Sequence, residues 1–122
     1  MGKGYVLIVE DDRDICDSIS EALEMEEINV KLAFNGEEGI AALASNVNRP
    51  PAVVLLDLMM PKTDGLWFCN ERNKHAKYSE IPIVMMSADS QVEVKTRGLG
   101  VSKVLKKPIG ITELIDTVRE YL

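Results

Sequence analysis

Two cysteines, one histidine and a shortage of positive charge bound what this chain of 122 residues can do. Cys16 and Cys69 lie far apart, both in segments with helical patterning. Such thiols are expected to be reduced, as in a cytosolic protein, and they exclude a disulfide framework. His75 sits in the polar run Asn73 to Glu80; it reads as a solvated loop residue, not a catalytic base or a metal ligand. Twenty acids against 14 Lys and Arg give a net charge of −6, which argues against unaided nucleic-acid binding. No apolar run is long enough to cross a bilayer. No signal-peptide pattern opens the chain, because Met1-Gly2-Lys3-Gly4 leads straight into an apolar segment. A cytoplasmic location without membrane contact is therefore the expectation. Repeats, low-complexity tracts and linkers are also missing, so residues 1–122 read as one domain with one core.

The stretch around which the rest is organised is Val53-Val54-Leu55-Leu56 followed by Asp57. Its apolar residues do not alternate with polar ones, as expected of a strand buried on both faces inside a parallel sheet. Tyr5 to Val9 is a similar run and ends in Glu10-Asp11-Asp12. Ile15, Ile19, Ala22 and Leu23 then follow at helical spacing. Acids at a helix N-terminus are favoured by capping and by the helix dipole, and Asp12 is read that way. One cap does not account for three consecutive acids, whose like charges repel.

Further along, Val30 to Phe34 predicts a more polar strand. Glu37 to Ser45 predicts a helix with Ile40, Ala41, Leu43 and Ala44 inward. Leu66 to Lys74 predicts a third helix. Ile81 to Met86 predicts a fourth strand, with Pro82 at its start, where a ladder donor is not needed. Ser90 to Arg97 is a poor helix, with β-branched Val92, Val94 and Thr96 and with Gly98 and Gly100 behind it. Val101 to Leu105 predicts a fifth strand, and Thr112 to Leu122 a last helix facing inward through Leu114, Ile115, Val118 and Leu122. Alternation of this kind implies an α/β, doubly wound, flavodoxin-like (βα)5 fold with five parallel strands. The common strand order is 2-1-3-4-5, which sets the exits of strands one and three side by side, at the edge where ligands bind.

Four strands then deliver polar groups to one edge: Glu10 and Asp11, Asp57, Ser87, and Lys107. Each follows an apolar run directly. Two unit charges about 4 Å apart repel by roughly 1–4 kcal/mol at effective dielectrics from water-like to surface-like, so three carboxylates need a counter-charge. Oxygen donors without histidine or thiolate select a hard cation, for which Mg²⁺ fits best, together with phosphate oxygens. Lys107 supplies a point charge, and Ser87 a hydroxyl donor for a phosphoryl oxygen.

These motifs resemble one family across nearly the whole chain, the receiver domain of two-component response regulators. They are Val9-Glu10-Asp11, Asp57-Leu58-Met59-Met60-Pro61, Asp64-Gly65, Ser87-Ala88, Lys107-Pro108 and Thr112-Glu113-Leu114. The resemblance implies that Asp57 takes a phosphoryl group from a sensor histidine kinase or a phosphotransfer protein. It implies Mg²⁺ on Asp11, Asp57 and the Met59 carbonyl, with Glu10 acting through a metal-bound water. Lys107, Ser87 and the Ala88 amide would bind the phosphoryl oxygens. The output would be a population shift of the face made by the fourth helix, fifth strand and fifth helix, read by a downstream protein or an attached output domain, with homodimerisation through that face allowed. On this reading the protein is a phospho-acceptor switch and not an enzyme.

The sequence departs from the family pattern in three places. Val104 stands where the family usually carries an aromatic switch, Ile109 where Phe is common, and the span from Ser87 to Lys107 is short. The expectation is a short, mobile fourth-helix region and signalling without an aromatic flip. Lys95, Arg97, Lys103 and Lys106 form either a solvated basic face or a docking site for an acidic partner. Two rivals fit less well. A small aspartyl-phosphate phosphatase wants a second acid two residues past Asp57, where Met59 stands. A nucleotide- or flavin-binding module wants a glycine- or hydroxyl-rich loop after the first strand, where three acids stand.

Overall fold

Five short runs pair in parallel, in the order β2-β1-β3-β4-β5. They are β1 (Tyr5–Val9), β2 (Asn29–Ala33), β3 (Val53–Asp57), β4 (Ile83–Ser87) and β5 (Lys103–Lys106), alternating with α1 (Arg13–Met25), α2 (Gly36–Ser45), α3 (Gly65–Asn73), α4 (Val92–Lys95) and α5 (Ile111–Arg119). The computed structural model describes residues 4–61 and 63–122. The opening Met1-Gly2-Lys3, and Lys62 within the loop after β3, lie outside the described residues. No helix among the described residues is long and apolar enough to cross a membrane.

All of β1, β3 and β4 is buried, as their unbroken apolar runs require. The two-residue period of a strand divides their side chains between two faces. Leu7, Val9, Leu56 and Met85 pack with Leu43 of α2 and Phe68 of α3 on one face. Val6, Ile8, Leu55 and Val84 pack with Leu23 of α1 and Leu114 and Val118 of α5 on the other.

Several boundaries differ from the sequence reading. β2 runs one residue earlier than expected. β4 starts at Ile83 instead of Ile81, and Pro82 contributes only its carbonyl, to Val54 N–H at 2.9 Å. β5 starts at Lys103 instead of Val101, because Gly98 and Gly100 both take φ +79° and keep the chain turning. In α2, Ala41 and Ala44 are exposed, and the inward positions are Gly36, Gly39 and Leu43. The buried glycines present no apolar side chain to the eye, so the alanines were mistaken for the inner face. α5 ends at Arg119, leaving Leu122 exposed, while Thr117 is buried. Cys16 and Cys69 are buried free thiols, and His75 is exposed in a turn, its ring 4.9 Å from that of Tyr78.

α1 has well-formed ends. Asp12 caps it as expected, accepting from Asp14 N–H at 3.0 Å and Ile15 N–H at 3.3 Å. At the other end Ile28 N–H and Glu27 N–H reach back to Leu23 O and Glu24 O, the paired bonds of a Schellman ending. That ending puts Glu27 at φ 63°.

The amino edge of the sheet is closed by Arg72, a residue the sequence reading passed over. Its side chain is buried at the end of α3. Its guanidinium donates to Ile81 O at 2.6 Å, to Asn73 Oδ1 at 2.5 Å and, more weakly, to Leu99 O at 3.5 Å, and Asn73 Nδ2 adds a bond to Leu99 O at 3.0 Å. The start of β4 and the segment before β5 are thereby tied to α3. A Cβ at position 100 would lie 2.9 Å from Arg72 Nη1, so that close approach and its positive φ both call for glycine.

Candidate functional site

Ladder hydrogen bonds continue past the strand ends and fix where the polar residues emerge. Glu10 N–H donates to Ala33 O at 3.0 Å, Leu58 N–H to Met86 O at 3.0 Å, and Lys107 N–H to Ser87 O at 2.9 Å. The register pairs Val9 with Leu56 and Asp57 with Met86. Glu10, Asp11 and Asp57 consequently converge, each offering a carboxylate oxygen within 4.8 Å of the others. Glu10 and Asp57 are almost wholly buried, while Asp11 reaches solvent.

Lys107 crosses from β5 to join them, its Nζ 3.2 Å from Asp57 Oδ1 and 3.4 Å from Glu10 Oε1. Burial pulls the ammonium pKa down, but the Asp57 and Glu10 carboxylates outweigh it and hold the pKa above the ordinary lysine value. Glu10 is pushed up to about 7 by burial and by the Asp57 charge; the Asp12 N–H, 3.2 Å from Glu10 Oε2, and Lys107 pull the other way without restoring it. One ammonium does not balance three acids, and the electrostatics ask for further positive charge. The donor set is all oxygen, which suits a hard divalent cation, so the residues present fit Mg²⁺.

The β3–α3 loop lies flat against the site. Gly65 N–H donates to Leu58 O at 2.9 Å, and a Cβ there would fall 2.8 Å from Asp57 O and 2.9 Å from Leu58 Cα. No side chain fits. Asp64 caps α3 through Trp67 N–H at 2.9 Å, and Thr63 Oγ1 accepts the buried Gly36 N–H at 2.9 Å, bracing the loop against α2.

The structure brings Glu10, Asp11, Asp57 and Lys107 together, while Ser87, Ala88 and Met59 lie at or just past the ends of β4 and β3 without a side-chain bond to that cluster among the described residues. Ser87 is buried at the end of β4, with Ala88 exposed beside it, and Met59 stands 65% exposed two residues past Asp57. The sequence reading missed three features. Cys16 Sγ donates to Glu10 O at 3.2 Å, fixing the acidic turn from below. An apolar hollow of about 350 Å³, lined in part by Ile15, Ile19, Met86, Pro108, Ile109 and Leu114, opens beside Lys107. Asp89 Oδ1 accepts Gln91 N–H at 2.7 Å in the turn that leads into α4, a helix that no side chain caps; an aspartate bonding the backbone two residues on is a readable turn signal.

The expected basic face is largely neutralised. Lys95 pairs with Asp89, Lys106 with Glu93 at 3.2 Å, and Lys103 with Glu120 at 3.6 Å. Arg97 alone of the four has no carboxylate partner among the described residues. That favours a solvated face over a dock for an acidic partner.

Known proteins match this arrangement. The family model of the response regulator receiver domain matches residues 6–119. The DNA-binding dual master transcriptional regulator RpaA of Synechocystis sp. is 36% identical over 119 residues, covering 96% of this chain and 48% of that protein. Response regulator MprA of Mycobacterium sp. (strain KMS) is also 36% identical, covering 96% of this chain and 50% of that protein. The chain thus spans about half the length of the curated relatives it matches. Among solved structures, chemotaxis response regulator CheY4 of Vibrio cholerae superposes with a TM-score of 0.88 at 24% identity, covering 99% of this chain and 100% of that one. At that identity the likeness concerns the fold.

Proposed function

From the premise that the chain belongs to the response regulator receiver domains of two-component signal transduction, we propose that Asp57 accepts a phosphoryl group and that the acceptor edge switches the rest of the domain. The observation that carries this reading is the position of Asp57, a nearly buried carboxylate 3.2 Å from Lys107 Nζ and grouped with two further acids.

An Asp57 carboxylate oxygen attacks the phosphorus of a phosphohistidine. A P–O bond forms as the P–N bond breaks, and the departing imidazole takes its proton from solvent. Lys107 turns from the carboxylates to pair with a phosphoryl oxygen, and Ser87 Oγ and the Ala88 N–H bind another. Asp11 and Asp57, with the Met59 backbone carbonyl, would hold Mg²⁺, and Glu10 would hold a water of its shell. When bound, the ion neutralises the carboxylates and the charge on the phosphoryl oxygens. Positioning and charge stabilisation account for most of the catalysis in such transfers, and the burial of Asp57 and Glu10 strengthens both.

The donor is a sensor histidine kinase or a phosphotransfer protein, and the hollow beside Lys107 offers it an apolar seat. The output passes through the face of α4, β5 and α5 to a partner protein, to an output domain of the kind that the greater length of the relatives leaves room for, or to a second copy of the domain. Val104 on β5 lacks a ring, so no aromatic flip carries the signal. The protein acts as a phospho-acceptor and not as an enzyme with a separate substrate.

Intact mass after incubation with Mg²⁺ and acetyl phosphate tests the reading. A gain of one phosphoryl group that requires Mg²⁺ and is lost in Asp57→Asn is the expected result; no gain in the wild type, with no Mg²⁺ binding, would sink it.

A further inference from the structure

A fourth carboxylate stands beside the acceptor edge but outside the cluster. Asp89 follows Ser87 by two residues and is turned toward α4: its Oδ1 accepts Gln91 N–H at 2.7 Å and its Oδ2 pairs with Lys95. The Asp89 backbone N–H, in turn, donates to Ser87 Oγ at 2.9 Å. One residue thus joins the buried hydroxyl of the site to the last residue of α4. The Lys95 ammonium, with help from Gln91 N–H, holds the Asp89 carboxyl below its ordinary pKa.

The arrangement has two consequences for Ser87 and its surroundings. A hydroxyl whose oxygen already accepts an N–H has its hydrogen left to offer, so the Asp89 bond aims Ser87 as a donor. The Asp89 side chain, if released from Lys95, is free to swing toward an edge that already carries three acids and one ammonium, where it would repel an anionic phosphodonor. α4 depends on the same contact. A four-residue helix is far below the length that holds itself, and its anchors are the buried Val92, the Thr96 Oγ1 bond to Val92 O at 2.8 Å and the grip of Asp89.

We propose that Lys95 is a positioning residue for the acceptor site, acting through Asp89: it keeps that carboxylate on the α4 side and fixes the N–H that orients the Ser87 hydroxyl. The inference rests on the reading of Asp57 as phospho-acceptor, and it assigns the coupling between that site and α4 to a charge contact.

The test is the rate of phosphoryl uptake from acetyl phosphate at saturating Mg²⁺, followed by intact mass, for wild type, Lys95→Ala, Lys95→Arg, Asp89→Asn and the Lys95→Ala/Asp89→Asn double variant. Lys95→Ala is expected to slow uptake by about threefold, the scale of an exposed and screened ion pair, and Lys95→Arg to restore it. In the Asp89→Asn background Lys95→Ala should have no effect. Equal slowing in that background would mean that Lys95 attracts the donor by its own charge, which overturns the proposal. Hydrogen exchange at Gln91 to Thr96 in the unphosphorylated protein is the second readout, expected to quicken in Lys95→Ala and not in Lys95→Arg. Unchanged exchange in both overturns the grip on α4. If the wild type takes up phosphate and Lys95→Ala matches it, this inference alone fails. If the wild type takes up none, the acceptor reading fails and this inference with it.

Discussion

At the carboxyl edge of the sheet, Glu10 and Asp57 share one lysine, Lys107, and Asp11 stands beside them. At the amino edge, the single buried guanidinium of Arg72 makes no ion pair among the described residues and bonds to carbonyl and amide oxygens. Burial lowers the Arg72 pKa, and the opposing influence of Cys69 and of the Glu80 charge does not restore it. Oriented dipoles hold most of a charge whose task is to keep three segments together, and the buried Arg72 Nε is left without a partner among the described residues. The other edge keeps like charges close without enough of the opposite sign. The closed edge should answer to mutation through stability alone, and the open edge through stability that depends on ions and pH.

The largest expected effect breaks the closed edge. Arg72→Ala leaves the Ile81 carbonyl without its buried donor, while Asn73 still serves Leu99 O, and should cost about 3 kcal/mol, read as a lower urea midpoint, with phosphoryl uptake retained by the protein that remains folded. A loss of uptake in folded Arg72→Ala would mean that the edges are coupled. Next, Mg²⁺ at a hundred times its dissociation constant should stabilise the domain by about 2.7 kcal/mol, an effect that Asp11→Asn abolishes or strongly weakens; calorimetry with and without the ion checks it.

pH dependence separates the edges further. Folded Glu10 titrates near 7, against 4.5 for a free side chain, so the folded state holds this proton more tightly than the unfolded chain. The associated stability is fully present below about 4.5 and is lost as pH rises through about 7, a fall on the order of 2 kcal/mol in metal-free buffer. Comparing wild type with Glu10→Gln between pH 5 and 8 isolates it; parallel curves would refute the shift. Asp57→Asn in metal-free buffer removes a repelling charge and should raise stability by about 1 kcal/mol, measured as a higher melting temperature. The smallest change sharpens the closed edge: Glu27→Gly relieves a left-handed residue in the turn after α1 and should add about 0.5 kcal/mol, without altering the Mg²⁺ response.

The open edge was legible in the sequence because its residues follow apolar runs directly. Val53 to Leu56 before Asp57, and Tyr5 to Val9 before Glu10, announce both the strands and what leaves them. Alternation implied the parallel sheet, and the strand order is the common one for a doubly wound sheet of five strands. Arg72 was not legible: an arginine near a helix end looks like any solvated cation, and only the arrival of Ile81 and Leu99, nine and 27 residues on, buries it. α2 misled because Gly36 and Gly39 bury no side chain. The basic face dissolved because Asp89, Glu93 and Glu120, scattered in sequence, each take one of its lysines.

The brevity of α4 bears on time. A segment of four residues, smaller than peptides whose helix–coil relaxation takes about 0.1–1 μs, re-equilibrates long before any partner can dissociate. Such an element keeps no record of its past; it reports the present state of the loop beside it. If Asp57 takes a phosphoryl group as proposed, the persistence of the signal resides in that bond and lasts as long as it resists hydrolysis.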